Sequence, residues 1–340
     1  MEPYPPSEGI RALFSSTLVI HSGTIANNSR NGIHLISSSL TMHDGLIYGN
    51  RSSGIVAMTN SSLAMECGTI IDNGAGGQYD GILARDSNVV INGGVIEGSS
   101  RHGIQITGSS GMRPSLDMGH GGAVHIVNNQ AIGVFAVGVY IYIHDITIEY
   151  NGSNGMLFDD SIVTMRNGII QGNGGRGVSA QRGSIFTMYN GLVHDNANYG
   201  VTVFFDSTFT MHNGAITDNG HENIWDGLRA IDSTVVINNG TISGSGRNGI
   251  FIQGRDAWAY LTIQNIHIEG NNNNGIDARD ATVRLYDGQV RNNGLYGIQL
   301  WLYSRLYLNG GSVESNTGPS IRYNPLTSTA EVSVLAWQAR

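Results

Sequence analysis

The feature that most constrains this chain is a short repeat that recurs along almost the whole sequence. One copy runs from Gly23 to Gly45, with the pattern Gly-x-Ile-x-x-Asn-x-x-x-Gly-Ile-x-Leu, a Ser-rich turn and Leu-x-Met-x-x-Gly. The next copy begins at Gly45 without a break. A fixed period of roughly 20 to 50 residues is the signature of repeat architectures, so it governs every other assignment.

Within one copy, apolar residues alternate with polar ones, as at Ile33 and Leu35 and again at Leu40 and Met42. This period of two predicts short strands with one face turned inward. A unit of about 22 residues with three strands and three turns corresponds to one coil of a parallel β-helix, in which coils stack about 4.8 Å apart. No coil can bury its apolar row alone, so we expect the core to form between stacked coils.

Two residue types mark the successive coils. A glycine opens the first strand of 13 coils, namely Gly9, Gly32, Gly54, Gly81, Gly103, Gly133, Gly155, Gly177, Gly200, Gly227, Gly249, Gly275 and Gly297. An asparagine precedes most of these glycines by four residues, and Ser99 and Ser245 replace it in two coils. Stacked asparagine side chains can form the amide ladders known from cross-β structures. We therefore predict an interior Asn ladder with a structural role.

A longer period lies above the short one. The segment that begins Gly-Ile-Leu-Ala-Arg-Asp-Ser at Gly81 returns as Gly-Leu-Arg-Ala-Ile-Asp-Ser at Gly227, 146 positions later. This predicts two six-coil blocks, 9–154 and 155–296, followed by a last coil. Together they would form a single solenoid over residues 9–318, with residues 1–8 and 319–340 as caps or tails.

The Gly-x-Ile-x-x-Asn…Gly-Ile…Leu-x-Met-x-x-Gly rhythm resembles right-handed parallel β-helix proteins of the pectin-lyase-like superfamily. The surface-exposed repeats of polymorphic outer-membrane proteins and autotransporter passengers are the most similar in style. The resemblance implies an all-β, right-handed, single-stranded parallel β-helix. It does not imply one activity, because this fold carries lyases, hydrolases, phage tailspikes and adhesins.

Composition excludes several classes of function. The net charge is −8 and no basic run occurs, which disfavours nucleic acids and anionic membranes. No apolar run reaches the roughly 18 residues of a membrane span, and Cys67 is the only cysteine, so no internal disulfide can form. No signal peptide is recognisable, and we expect a segment of a longer exported protein, or a chain whose export signal lies elsewhere, at the cell surface or outside the cell.

Four insertions interrupt the regular coils and predict a binding groove. They lie before Gly81 and Gly227 and after the first strands of the following coils, so we expect them to flank the outer face of the first sheet. Aromatic rings in such loops suit sugar rings or protein partners, although they could equally fold down over their own loops. The predicted ligand-binding residues are Tyr79, Trp225, Phe251, Gln253, Trp258, Tyr260 and Trp301.

Candidate chemistry concentrates in the second block. Asp277, Arg279 and Arg229 are the candidate catalytic residues, on outward strand positions of neighbouring coils. The spacing of Asp232, Asp256 and Asp280 predicts either a calcium site, because calcium prefers six to eight oxygen ligands, or three Asx turns. We expect that no cofactor is required, with calcium as the one possible exception. No complete pair of catalytic carboxylates is recognisable.

Three functions are compatible with these patterns. The leading hypothesis is a scaffold or adhesin-like module that binds glycans or a surface protein. The second is a polysaccharide lyase or glycoside hydrolase that uses the same groove. The third is a tailspike-like fibre segment that packs its apolar sheet against sister chains in a homo-oligomer.

Overall fold

The computed structural model describes residues 7–109, 111–221, 224–256 and 258–323, together with the backbone of Glu331–Val334. Contacts divide the chain into two compact units, Met1–Val163 and Thr164–Arg340. Most of the predicted N-terminal cap, residues 1–6, lies outside the described residues. Every regular element within the described ranges is a β-strand. The predicted all-β parallel β-helix is therefore confirmed.

The first unit contains six complete coils, each with three short strands. In chain order its strands are β1 Ile10–Leu13, β2 Thr17–Ile20, β3 Thr24–Ala26, β4 Ile33–Ile36, β5 Ser39–Met42, β6 Leu46–Tyr48, β7 Ile55–Met58, β8 Ser62–Met65, β9 Thr69–Ile71, β10 Ile82–Arg85, β11 Asn88–Ile91, β12 Gly94–Glu97, β13 Ile104–Thr107, β14 Ser115–Met118, β15 Val124–Val127, β16 Val134–Val137, β17 Tyr140–Ile143, β18 Ile146–Glu149 and β19 Met156–Asp159. Every third strand pairs in parallel, so β1, β4, β7, β10, β13, β16 and β19 form the first sheet. The second and third sheets begin with β2 and β3 and follow the same rule.

The second unit repeats this plan, and β20 Ile162–Met165 spans the division. The strands that follow are β21 Ile169–Gln171, β22 Val178–Gln181, β23 Ile185–Met188, β24 Leu192–His194, β25 Val201–Phe204, β26 Thr208–Met211, β27 Ala215–Thr217, β28 Leu228–Ile231, β29 Thr234–Ile237, β30 Thr241–Ser243, β31 Ile250–Gln253, β32 Ala259–Ile263, β33 His267–Glu269, β34 Ile276–Arg279, β35 Ala281–Leu285, β36 Gln289–Arg291, β37 Ile298–Trp301, β38 Arg305–Leu308, β39 Ser312–Glu314, β40 Ile321–Tyr323 and β41 Glu331–Val334. Its first sheet holds β22, β25, β28, β31, β34, β37 and β40 in that order.

The core consists of apolar side chains stacked on their counterparts in neighbouring coils. Ile33 pairs with Ile55, which pairs with Ile82, and all three side chains are fully buried. This in-register stacking follows from the period-two pattern, because a shift by one residue would move the apolar row to the solvent side. The backbone hydrogen bonds run between coils, so each coil supports its neighbours.

The predicted Asn ladder is confirmed in both units. Side-chain amide donors reach the next side-chain carbonyl at 2.8 Å from Asn28 to Asn50 and from Asn50 to Asn73, and at 2.9 Å from Asn129 to Asn151, Asn173 to Asn196, Asn196 to Asn219, Asn271 to Asn293 and Asn293 to Asn316. Ser99 and Ser245 interrupt the ladder, yet their backbone N–H groups still donate to Asn129 and Asn271 at 3.0 Å. The ladder therefore satisfies turn groups that would otherwise be buried without partners.

The glycine that opens each first strand is required by crowding. A Cβ at Gly32 would lie 2.7 Å from both the Gly54 carbonyl oxygen and the Ile47 side chain. Positive φ occurs instead at other turn glycines, such as Gly45 with φ 133°. The two kinds of glycine thus serve different needs, close approach of coils and left-handed backbone.

Across the described ranges, no helix is long and apolar enough to cross a bilayer. Near the C-terminus, the last described strand, β41, pairs with β38 in the second sheet.

Candidate functional site

The outer face of the first sheet in the second unit carries two columns of side chains that project away from the core. The strand register aligns Ser179, Thr202, Arg229, Phe251, Asp277 and Gln299 in one column, and Gln181, Phe204, Ile231, Gln253, Arg279 and Trp301 in the other. The three candidate catalytic residues therefore lie on one face, Arg229 on β28 and Asp277 and Arg279 on β34, with β31 between the two strands.

A third column comes from the residue before each strand-opening glycine. In the second unit these residues are Arg176, Tyr199, Asp226, Asn248, Asn274 and Tyr296. Side chains of this column accept hydrogen bonds from the backbone of the next coil. The Asn274 N–H donates to the Asn248 side chain at 3.2 Å, and the Tyr296 N–H donates to the Asn274 side chain at 3.3 Å. The column therefore forms the edge of the face and fixes the positions of the side chains beside it.

Asp226 is the anchor of this edge, because its carboxylate is fully buried and accepts from several donors. Arg247 binds it in a bidentate manner, with Nε to Oδ1 at 2.8 Å and Nη2 to Oδ2 at 2.5 Å. Arg229 adds a contact from Nη1 at 3.2 Å, and the Asn248 side-chain amide donates at 2.9 Å. Charge-assisted bidentate pairs of this kind fix both the position and the plane of a guanidinium group.

Aromatic rings hold the arginines from the other side. The Phe251 ring has the guanidinium carbons of Arg229, Arg279 and Arg247 at 4.1, 5.0 and 5.4 Å from its centroid. All three distances lie within the range of cation–π attraction. Phe251 itself is only 3% exposed, so it supports the arginines from below rather than offering a free ring to a ligand.

The same arrangement extends along the sheet in both directions. Arg229 also lies 5.5 Å from the Tyr199 ring, Arg176 lies 5.7 Å from it, and Arg279 lies 5.3 Å from the Trp301 ring. We call the set Arg176, Tyr199, Asp226, Arg229, Arg247, Phe251, Asp277, Arg279 and Trp301 the arginine–aromatic face. It holds four arginines against two carboxylates, an excess of two positive charges in a chain of net charge −8.

Asp277 is the acid with the most distinctive surroundings on this face. Arg279 donates to it through Nε and Nη2, both at 3.1 Å, and its side chain is only 6% exposed. Burial raises the pKa of Asp277 above its ordinary value, and the hydrogen bond and charge of Arg279 offset that rise only in part. Burial likewise raises the pKa of the Tyr199 hydroxyl. A carboxyl with a raised pKa beside a cation is a candidate for proton transfer.

The other predicted ligand-binding residues divide between several places. Trp225 precedes β28 and its ring contacts the Tyr199 ring edge-on at 4.7 Å. Gln253 is half-buried at the end of β31. Tyr260 lies within strand β32 of the second sheet rather than in a loop, because that strand begins at Ala259. Tyr79 belongs to the first unit, where it lines a cleft with Arg30 and Arg51.

Trp258 lies in a separate cleft of the second unit, together with two of the three predicted calcium ligands, Asp256 and Asp280. The third, Asp232, accepts from the backbone N–H groups of Arg255 and Asp256 at 2.5 and 3.2 Å. Asp280 similarly accepts from the Tyr303 N–H at 3.3 Å. Within the part of the chain that the structure describes, no group of three His, Cys, Asp or Glu side chains is arranged to hold a metal ion. Calcium binding stays a prediction.

The sequence reasoning missed Arg176, Tyr199, Asp226 and Arg247. Their signal is positional, since three of them directly precede a strand-opening glycine and Arg247 precedes one by two residues. The sequence-based candidates come from outward strand positions, aromatic loop residues and turn aspartates, so the column at the edge of the face was not predicted.

A protein-family description, "Right handed beta helix region", matches this chain over residues 5–142, 80–231 and 226–333. A search of curated protein sequences gives no significant match. Similar solved structures include the A-modules of two mannuronan C-5 epimerases of Azotobacter vinelandii. The AlgE4 module has 15% identity and a TM-score of 0.46, covering 93% of this chain and 91% of that one. The AlgE6 module has 14% identity and a TM-score of 0.48, covering 95% and 91%. Identities this low say nothing about a shared activity.

Proposed function

The chain belongs to the right-handed β-helix family, and on that premise we propose that it is an extracellular or cell-surface module that binds an acidic glycan through the arginine–aromatic face. The observation that carries this proposal is the set of guanidinium groups held in place on one sheet face. Such a face suits a polymer that presents anionic groups at intervals along its length.

Charge complementarity favours an acidic ligand. The chain has 18 arginines and no lysine, and a planar guanidinium binds carboxylates and sulfates through two parallel hydrogen bonds. Arg247 and Arg279 have side-chain exposures of 30% and 38%, so both can reach a ligand. Because buried contacts hold these groups before binding, less conformational entropy is lost when the ligand arrives.

The aromatic groups supply the second requirement of a glycan site. Trp301 lies beside Arg279 and is half-buried. An aromatic ring offers a flat apolar surface to the C–H groups of a sugar, while neighbouring polar groups satisfy its hydroxyls. The face thus combines anion recognition with a stacking surface.

The proposal is tested on an array of acidic and neutral oligosaccharides. We expect binding to uronate-containing or sulfated glycans that weakens with added salt, because the contacts are ionic and partly exposed. Arg279→Leu should reduce this binding at least fivefold. The matched control is Arg284→Leu, since Arg284 also stacks on a ring, Tyr307 at 5.3 Å, but in the second sheet. Equal losses in both variants, or equal binding of neutral glycans, would refute the proposal.

A second candidate function is β-elimination of the same acidic glycan, favoured by the raised pKa of Asp277. Its carboxylate would take the proton from carbon 5 of a uronate held by Arg279. The electron pair forms the bond between carbons 4 and 5, the bond from carbon 4 to the glycosidic oxygen breaks, and that oxygen takes a proton from water. The hydroxide that remains then takes the proton from Asp277, which restores the carboxylate. A base with a raised pKa accepts the proton more readily. Hydrolysis is less favoured, because Asp226, the other carboxylate of the face, is fully buried among arginines.

Elimination creates an unsaturated sugar whose ultraviolet absorbance can be followed directly. If the wild-type chain forms this product and Asp277→Ala does not, a binding-only role is wrong. If neither forms it while binding persists, the module binds without cutting.

A further inference from the structure

The second unit contains a cleft that the arginine–aromatic face does not include. It has a volume of about 420 Å³ and is lined by Gly254, Arg255, Asp256, Trp258, Asp280, Tyr303 and Arg305. We propose that this cleft binds a neutral sugar ring, next to the acidic sugar bound on the face. Its volume lies within the range of about 300 to 1,000 Å³ that is typical of small-molecule sites.

Two large aromatic side chains in the cleft are unusually exposed. Trp258 is 49% exposed and Tyr303 is 59% exposed. The guanidinium carbon of Arg305 lies 5.4 Å from the centroid of the Trp258 ring, which is within the range of a cation–π contact. Exposed rings beside polar groups are the arrangement expected where a sugar stacks its C–H face on an aromatic side chain.

The charge of the cleft differs from that of the arginine–aromatic face. Two arginines, Arg255 and Arg305, are balanced by two aspartates, Asp256 and Asp280. A balanced set of donors and acceptors can satisfy the hydroxyl groups of a neutral sugar, whereas it offers no net attraction to an anion. The ligand unit expected here is therefore uncharged.

Hydrogen bonds between neighbouring coils hold the walls of the cleft. Asp232 accepts from the N–H groups of Arg255 and Asp256, at 2.5 and 3.2 Å. Asp280 accepts from the N–H of Tyr303 at 3.3 Å. These contacts fix the backbone on both sides of the cleft. Less conformational entropy is therefore lost when a ligand binds to the aromatic residues.

The cleft begins where the arginine–aromatic face ends. Asp280 directly follows Arg279, Tyr303 lies two residues after Trp301, and Gly254 directly follows strand β31. One chain could therefore occupy both. Resting on the function proposed above, this inference names the ligand class as a heteropolysaccharide that contains acidic and neutral units.

Three probes separate this inference from the proposed function: an oligogalacturonate hexamer, which is fully acidic, a chitin hexamer, which is neutral, and a hyaluronan hexamer, which alternates the two types. Binding is followed by calorimetric titration of the full chain. Trp258→Ala should weaken the hyaluronan and chitin hexamers at least fivefold and leave the oligogalacturonate affinity unchanged. Arg229→Leu should weaken the two acidic probes and leave the chitin hexamer unchanged.

The matched control is Tyr286→Ala, because Tyr286 is 41% exposed but lies outside both the cleft and the face. Trp258→Phe, which retains a ring, should restore most of the affinity, and thermal unfolding of each variant reports whether it folds. The inference is overturned if neither neutral-containing probe binds, if Trp258→Ala weakens the oligogalacturonate equally, or if binding requires calcium and is lost with a chelator. Loss of acidic-probe binding alone would refute the proposed function and not the cleft.

Discussion

The two units carry the same buried Asp–Arg pair, with different surroundings. In the first unit, Arg101 Nε donates to the buried Asp80 carboxylate at 2.8 Å, and in the second Arg247 makes the same contact with Asp226. In both, this acid also accepts from the backbone N–H of the residue before the next strand-opening glycine, at 3.2 Å. The shared part of the arrangement is structural, because it satisfies a buried turn in each unit.

The difference lies on the neighbouring strand positions. Arg101 donates to Gln105 in the first unit, at 2.5 Å, whereas the corresponding position in the second unit is Phe251, against which Arg247 packs. Leu83 in the first unit corresponds to Arg229 in the second. One duplicated frame thus supports an apolar and amide surface in one unit and a cationic, aromatic surface in the other. The difference between the two surfaces therefore resides in a few outward residues rather than in the fold.

The largest effect is expected from removing the shared acid. Asp80→Ala leaves Arg101 without its acceptor, and Asp226→Ala leaves Arg229 and Arg247 without theirs. Each change also leaves a turn N–H unpaired. Each should lower the free energy of unfolding by about 3 kcal/mol, the lower end for a broken buried pair because the arginines are partly exposed. Chemical denaturation measures this loss. If only the variant of the second unit were destabilised, the pair would not be a common structural element.

Phe251→Gln converts the second unit to the residue of the first at this position. It removes the contacts of one ring with three guanidinium groups, each worth about 0.5–1 kcal/mol. We expect a loss of about 2 kcal/mol in the free energy of unfolding, measured by denaturant titration. The reciprocal Gln105→Phe should change stability little, because Arg101 can pack on the new ring. A loss of similar size in both would mean that the two positions are not equivalent.

Arg229→Leu introduces the residue of the first unit and tests binding, while its thermal unfolding reports the stability lost with the contacts to Asp226 and Phe251. It should weaken binding of an acidic oligosaccharide about tenfold, which corresponds to about 1.4 kcal/mol. Leu83→Ala, the matched change in the first unit, should leave this affinity unchanged. Fluorescence polarisation with a labelled acidic hexamer gives both values, and a loss in the Leu83 variant would place binding elsewhere.

The smallest effect concerns Asp277, for which the first unit has Phe135. Because its pKa is raised in the folded chain, its contribution to stability is present at low pH and is lost as the pH rises through the folded-state value. Asp277→Asn cannot ionise, so it should match the wild type near about pH 3 and become the more stable of the two toward about pH 8. Thermal unfolding across this interval measures the difference. An advantage at acidic pH would contradict the direction of the pKa shift.

The sequence was sufficient to predict the fold because its information is periodic. The alternation at Ile33 and Leu35 and the recurrence of Asn28 and Asn50 determine strand register and ladder directly. Arg229, Asp277 and Arg279 were placed on one face for the same reason, since a known coil length assigns each residue to a column.

The sequence did not predict the contacts that depend on the path of a long side chain between coils. Arg247 reaches back to Asp226 across 21 positions, and nothing in the pattern specifies that direction. The net charge of −8 also hid a local excess of positive charge, because composition averages over all surfaces. Phe251 was expected to contact ligand, whereas its burial beneath three arginines gives it a supporting position.

The most direct test of glycan binding at the arginine–aromatic face is photo-crosslinking with a diazirine-tagged oligogalacturonate hexamer, followed by peptide mapping. The result expected is labelling of the peptides that contain Arg229, Arg247, Arg279 and Trp301, abolished by added salt and reduced about tenfold by Arg229→Leu. Labelling confined to other peptides, or unchanged by that substitution, would contradict it.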